Sequence, residues 1–240
     1  MAKIAKASAV LAAALVTLAG CTAPSDLPRQ QANIPAPLAI AQEGPCCGPI
    51  MAGAQRVLKV LDDSDVEHLW LKDHTIQWDT GASLGPIIHD SDTHCSAYTA
   101  AMAYRVGVYM PRPPQYRQNR LVDAQLDYFN SSTGRHDGWH KVDTPEQAQA
   151  LANMGKLVIV GFHGTINQYD HIIGHTAVVR PSNRTEDQIQ QSGPQISQAG
   201  WRNHRSTTVG VGFKRHPKDE LQYFAHDIPD VTGAVTQSSN

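Results

Sequence analysis

The chain has 240 residues with a formal net charge of −2; 41% are hydrophobic and 18% charged. A near-neutral balance with no basic block and no interleaving of basic and aromatic residues excludes a nucleic-acid-binding footprint. The stretch beyond the first 48 residues suits one domain that buries its own core, and twelve histidines make metal binding a question for spacing to answer.

Lys3 and Lys6 precede an apolar run, Ala9 to Ala19, that is too short to span a bilayer as a mature helix. The run ends in Leu18-Ala19-Gly20-Cys21. A charged start, an apolar core and two small residues before a cysteine resemble the signal peptide and lipobox of bacterial lipoproteins. The resemblance implies that residues 1–21 are a signal segment and that Cys21 is acylated as the new N-terminus. The acyl chains would then anchor the protein to a membrane without threading it through. An ordinary cleaved secretory signal would also mean export. Thr22, where an aspartate would favour inner-membrane retention, implies the outer membrane of a Gram-negative cell, facing the periplasm. Residues 22–48, rich in Pro, Ala and Gln up to Pro45, read as a flexible tether. The domain is assigned to 49–229 and a frayed tail to 230–240.

Within the domain, Met51, Ala54, Val57, Leu58 and Leu61 recur at helical spacing. Leu69-Trp70-Leu71 and Thr75-Ile76-Gln77-Trp78 read as short strands around a turn at Lys72-Asp73, and 79–94 as a loop. A helix over 95–106 stops at Gly107. Pro111-Arg112-Pro113-Pro114 must run extended. Leu121–Phe129 is predicted helical, as is 145–154, where Pro145 sits at a helix start and Gly155 follows its end. Leu157–Phe162 is the best buried strand. His175–Arg180, Gln195–Ala199, Val209–Phe213 and Leu221–Ala225 follow as further strands. Helices first and an antiparallel run of strands afterwards predict an α+β domain, with N-terminal helices packed on an antiparallel sheet.

Three cysteines remain beyond Cys21. Cys46 and Cys47 lie in a Gly/Pro turn, Gly44-Pro45-Cys46-Cys47-Gly48-Pro49. An exported protein could bridge one of them to Cys95. Cys95 stands apart, because it begins an apolar helix behind Asp90-Ser91-Asp92-Thr93. A helix start is electropositive and favours the thiolate. About eighty residues later Gly174-His175-Thr176-Ala177-Val178-Val179 opens a strand with a histidine. An imidazole can take the thiol proton and later protonate a leaving amine. That base needs a partner to hold its ring and tautomer. Asn203 is the first choice and Gln198 the second. Backbone N–H groups at the start of the Cys95 helix would hold an oxyanion. His94 reads as cap or wall, not as base.

The Cys95 helix and the Gly174–Val179 strand resemble those of papain-like cell-wall hydrolases of the NlpC and CHAP kinds. The segments Ala148–Val160 and Gly193–Gly200 look like a subgroup of secreted amidases with the same order of elements. The resemblance covers roughly residues 75–215. It implies a papain-like fold and cleavage of amide bonds in peptidoglycan stem peptides without a metal or other cofactor. Cys95 carries over as nucleophile and His175 as base, with Gln or Asn where many relatives place His, Glu or Asn.

Other readings remain. Cys95 could be an inert packed cysteine, and the protein a non-catalytic lipoprotein that binds the cell wall or a partner through Pro111–Pro114, Tyr116 or Trp201. Asp79-Thr80-Gly81-Ala82-Ser83 matches the signature of retropepsin-like aspartic proteases, but no second copy supplies the required second carboxylate. His171 and His175 lie four apart in a strand-like region without a His-Glu-x-x-His pattern, a weak zinc signal. Transglutaminase-type amide exchange would use the same Cys95 and His175.

Overall fold

Helical periodicity at the start of the domain is realised as α1 (Ala52–Asp62), which buries Ala54, Val57 and Leu61 on one face. The structure, a computed structural model, describes residues 47–87, 93–166, 172–216 and 218–229. The predicted signal segment with Cys21, the tether through Cys46, His171 and the tail from Asp230 lie outside the described residues. Next come a small hairpin, β1 (His74–Ile76) and β2 (Ser83–Pro86), and then α2 (Cys95–Arg105). α3 (Leu121–Asn130) and the short α4 (Ser132–His136) precede β3 (His140–Val142). α5 (Pro145–Asn153) carries Pro145 in its first turn and a Thr144 cap, whose hydroxyl accepts from the Gln147 N–H.

The second half is mostly strand: β4 (Leu157–Ile166), β5 (Ile172–Val179), β6 (Gln195–Gln198), β7 (His204–Thr208) and β8 (Gln222–His226). α6 (Glu186–Ser192) and α7 (Val209–Gly212) punctuate it. Six strands form one sheet in the order β3-β8-β4-β5-β6-β7, and every neighbouring pair is antiparallel. The architecture is α+β. No helix among the described residues is long and apolar enough to cross a membrane.

The unbroken apolar run of β4 has a direct cause: both faces of the sheet are covered. Leu157, Ile159, Val178 and Phe224 pack with α2, α3, Trp70 and Trp139 in one core. Val158, Val160, Ala177, Val179 and Ile196 pack with α5, Val209 and Phe213 in a second. The prediction of N-terminal helices on the sheet accounts for the first layer only. α2 is buried from Cys95 to Ala103, and its alanines let it sit between the sheet and α1. Gly107 ends this segment at φ +80°, where a side chain would be strained.

Local expectations are corrected at three places, the first being that the 79–94 segment read as a loop contains β2. Leu69-Trp70-Leu71 is not a strand; Trp70 sits at φ +51°, fully buried and edge-on to Tyr98 at 5.2 Å. Val209–Phe213 is a helical turn, because Val209 and Phe213, four apart, both enter the second core while Val211 stays exposed. The strand at this point is the preceding polar segment, His204–Thr208, at the sheet edge.

Candidate active site

Cys95 is the first residue of α2, at the positive end of an eleven-residue helix. His175 lies on β5 opposite Phe162 of β4. The two side chains, 80 residues apart in sequence, meet closely enough for each to shift the titration of the other. β5 and β6 pair only at Val178↔Ser197 and Val179↔Ile196. The backbone amides of Thr176 and Ser96 lie near the Cys95 sulfur and favour its thiolate.

Polar side chains set how α2 meets the sheet. Tyr98, three residues after Cys95, shares a 2.5 Å hydrogen bond with Ser197, the neighbour of Gln198. Thr99, one turn after Cys95, lies 3.2 Å from the Thr176 hydroxyl, next to His175. Buried Gln125 of α3 donates to the carbonyls of Ser96 and Pro111 at 2.9 and 3.0 Å. It ties the extended proline segment to the first turn of α2. Sequence reasoning passed over these pins because an isolated Tyr, Thr or Gln in a helix carries no pattern.

The orienting partner of the imidazole is Gln198, not Asn203. The His175 Nε2–H donates to Gln198 Oε1 at 3.0 Å. The amide nitrogen of Gln198 donates to the Arg202 carbonyl at 3.2 Å. A carbonyl only accepts, so the amide orientation is fixed, and with it the tautomer of His175. Nδ1 is left to face the sulfur. Asn203 does other work. Its amide nitrogen donates to the carbonyls of Val66, Leu69 and Trp70 at 2.8, 2.8 and 3.2 Å, and its oxygen accepts from the Gly200 N–H at 2.9 Å. It fastens the 199–203 loop to the Val66–Trp70 turn and does not reach the imidazole.

The electrostatics favour an ion pair. Burial pushes the Cys95 thiol up. The charge and hydrogen bond of His175, with the N–H groups of Thr176 and Ser96, outweigh that and hold it below the ordinary thiol range. Burial likewise pushes His175 down. The charge and hydrogen bond of Cys95 and the bond to Gln198 outweigh it and hold the imidazole above its ordinary range. Opposite shifts on facing partners narrow the gap between the two groups and favour passage of the proton from sulfur to nitrogen. Such a pair can attack an electrophilic carbon and then return a proton to the leaving group. Cys95 is 3% exposed.

The remaining candidates are elsewhere. His94 precedes α2 and is buried. Its Nε2–H donates to the His74 carbonyl at 2.8 Å and its Nδ1 accepts from the Gln118 amide. It is a wall, and its side chain caps no helix N–H. Asp79 lies in the turn between β1 and β2, where it accepts from the Gln77 amide at 3.0 Å. Gly81 of the same motif sits at φ +77° against the Trp70 indole, where a Cβ would come within 2.3 Å of the ring. The Asp-Thr-Gly triplet is therefore explained by a turn and close packing. Cys95 is a free thiol, and Cys47 is disulfide-bonded. No bridge to Cys95 forms. Among the described residues no group of three or more His, Cys, Asp or Glu side chains is placed to hold a metal ion.

The chain matches no protein-family model and no curated protein sequence.

Proposed function

We propose that this protein is a cysteine-dependent amide hydrolase that cleaves peptidoglycan stem peptides, in which Cys95 is the nucleophile, His175 the acid–base group and Gln198 the group that orients it. The observation that carries the reading is the alignment of Cys95, His175 and Gln198: the imidazole donates to Gln198 through Nε2 and lies against the thiol on its other side. A buried cysteine kept only for packing has no need of an imidazole held against it by a polar partner. The choice of cell-wall peptides rests on the resemblance of the Cys95 and Gly174-His175 segments to NlpC and CHAP enzymes. The lipobox-like Leu18–Cys21 supports an outer-membrane anchor facing the periplasm, where that substrate lies.

In this mechanism the Cys95 thiolate attacks the scissile carbonyl carbon. The developing oxyanion is held by the N–H of Cys95, which precedes the first intrahelical donor of α2, Tyr98, whose N–H bonds the His94 carbonyl at 2.9 Å. The His175 Nδ1–H protonates the leaving amine as the C–N bond breaks, giving a thioester. His175, now neutral, takes a proton from water; the hydroxide adds to the thioester, the tetrahedral adduct expels the Cys95 thiolate, and the carboxylic acid leaves and gives its proton to solvent. Gln198 keeps the ring in place throughout by accepting from Nε2–H.

Digestion of purified peptidoglycan by the wild type and Cys95→Ala, with products identified by mass spectrometry, tests the reading. New amine and carboxylate termini should be released by the wild type alone. Equal release by both removes Cys95 from the mechanism. Labelling with a radioactive fatty acid in a bacterial host should mark the wild type and not Cys21→Ser; an unlabelled wild type removes the lipid anchor.

A further inference from the structure

The turn after the polar edge strand covers the hydrogen bond on which the imidazole depends. A Cβ at Gly212 would stand 2.2 Å from Gln198 Oε1 and 3.1 Å from Cδ of the same amide. Gly212 does not occupy the left-handed region, so the missing side chain and not the backbone angle is what this position uses. The next residue, Phe213, is 3% exposed and sets its ring 4.7 Å from that of His175 at 54°. Phe213 in turn meets Phe162 edge-on at 6.0 Å, and Phe162 stacks on His216 at 3.6 Å. On another side of the imidazole is Gly200, whose Cβ would lie 3.3 Å from His175 Cε1. The ring is therefore bounded by Phe213, Gly200 and the Gln198 amide.

We infer that Gly212 and Phe213 are positioning residues: the turn Val209–Phe213 closes over the Gln198–His175 hydrogen bond, Gly212 by leaving room for the amide oxygen and Phe213 by bracing the imidazole face. The inference rests on the cysteine-hydrolase reading of the site. The energetic logic is local. The His–Gln bond is worth more with water excluded from it, and an orienting group works only while its own rotamer is locked. The same placement explains why Val209 and Phe213 are buried while Val211 between them is 55% exposed. The turn is fastened by its ends.

The test is the pH dependence of Cys95 alkylation by iodoacetamide in the full-length protein, read by mass spectrometry of the peptide that contains Cys95. Gly212→Ala, Gln198→Ala, the double variant and the surface control Val211→Ala are compared with the wild type. Gly212→Ala should move the midpoint upward by about one pH unit, equivalent to an approximately tenfold slower reaction on the acid side. Gln198→Ala should move it by a similar amount, the double variant no further, and Val211→Ala not at all. Non-additivity shows that Gly212 acts through Gln198. Phe213→Leu keeps most of the buried volume, leaves Gln198 unchanged and should shift the midpoint in the same direction; it decides the question if Gly212→Ala does not fold. An activated wild-type profile with an unmoved Gly212→Ala or, in its place, Phe213→Leu profile overturns the positioning role alone. A wild-type midpoint at the ordinary thiol position overturns the hydrolase reading and the positioning role together.

Discussion

A neutral amide holds the imidazole of His175, and this choice has consequences for the pH profile. Gln198 stabilises the imidazolium through one hydrogen bond and adds no charge. The sign of each limb follows. Cys95 is held below the ordinary thiol range, so the reactive thiolate persists to lower pH than a free cysteine allows. His175 is held above the ordinary imidazole range, so the proton needed by the leaving amine is lost only at higher pH. Hydrolysis should therefore show a bell whose acid limb tracks Cys95 and whose alkaline limb tracks His175. Replacing Gln198 with Glu puts a carboxylate beside Nε2, and the alkaline limb should move up. Gln198→Ala should slow turnover about tenfold, the rate equivalent of one hydrogen bond of about 1.4 kcal/mol. A pH–rate series on the three proteins checks both. Asn203→Ala should behave differently. It strips partners from three backbone carbonyls and the Gly200 N–H, which costs about 2–3 kcal/mol of stability. Denaturant unfolding should show that loss, and the midpoint of Cys95 alkylation should move less than in Gln198→Ala, because Asn203 acts on the imidazole only through the 199–203 loop.

At the scale of elements, the site is made by docking α2 against the place where β5 and β6 part. Thr99→Val and Tyr98→Phe each remove one pin, at the cost of about 1 kcal/mol apiece. Because both pins lie within one helical turn of Cys95, they should also slow its alkylation below neutral pH, measured beside a thermal melt. Part of this arrangement is legible in the chain. α2 and β4 announce themselves through an apolar run with a Gly stop and an apolar run of strand length. Gln198 was also within reach: it follows Ile196 by two in a strand, so it shares a face with it. The register places it close to His175 across the β5–β6 pair. A loop asparagine such as Asn203 has no projection fixed by its element, and here it captures backbone carbonyls. The segment Val209–Phe213 was misread because alternating Val and Gly mimics strand periodicity. What decides it is that i and i+4 both need the second core. β7 was missed because His204-Arg205-Ser206-Thr207-Thr208 carries no apolar face. An edge strand can be polar, and it is held here by backbone pairing and by Gln195 donating to Ser206 at 2.8 Å.

On the scale of the whole domain, its first described residues are secured by one buried side chain. Asn153, at the end of α5, donates to the carbonyls of Cys47, Gly48 and Ser182 at 2.9, 3.1 and 2.9 Å, and accepts from the Ser182 N–H at 2.9 Å. Gln149, one turn earlier, donates to Asn153 and to the Arg180 carbonyl at 3.1 and 2.9 Å. Where the chain enters the domain is thus bound to the connection that leaves β5. Asn153→Ala should lower stability by about 2–4 kcal/mol, since it orphans several buried carbonyls at once. Limited proteolysis should then cut near residues 47–50 in the variant sooner than in the wild type. The resemblance had no means of showing this lock, because a single amide between two loops leaves no periodic trace.

The sulfur of Cys95 owes its character to groups far along the chain: an imidazole 80 residues on and the amide hydrogen of Thr176. Before α2 reaches the split between β5 and β6, the nascent polypeptide carries a thiol like any other, slow to react and harmless to its neighbours. Its chemical temper is acquired only when these distant parts of the chain meet. If the proposed hydrolysis is right, the chain is in effect born disarmed, and the moment it becomes dangerous to an amide bond is also the moment it is correctly put together.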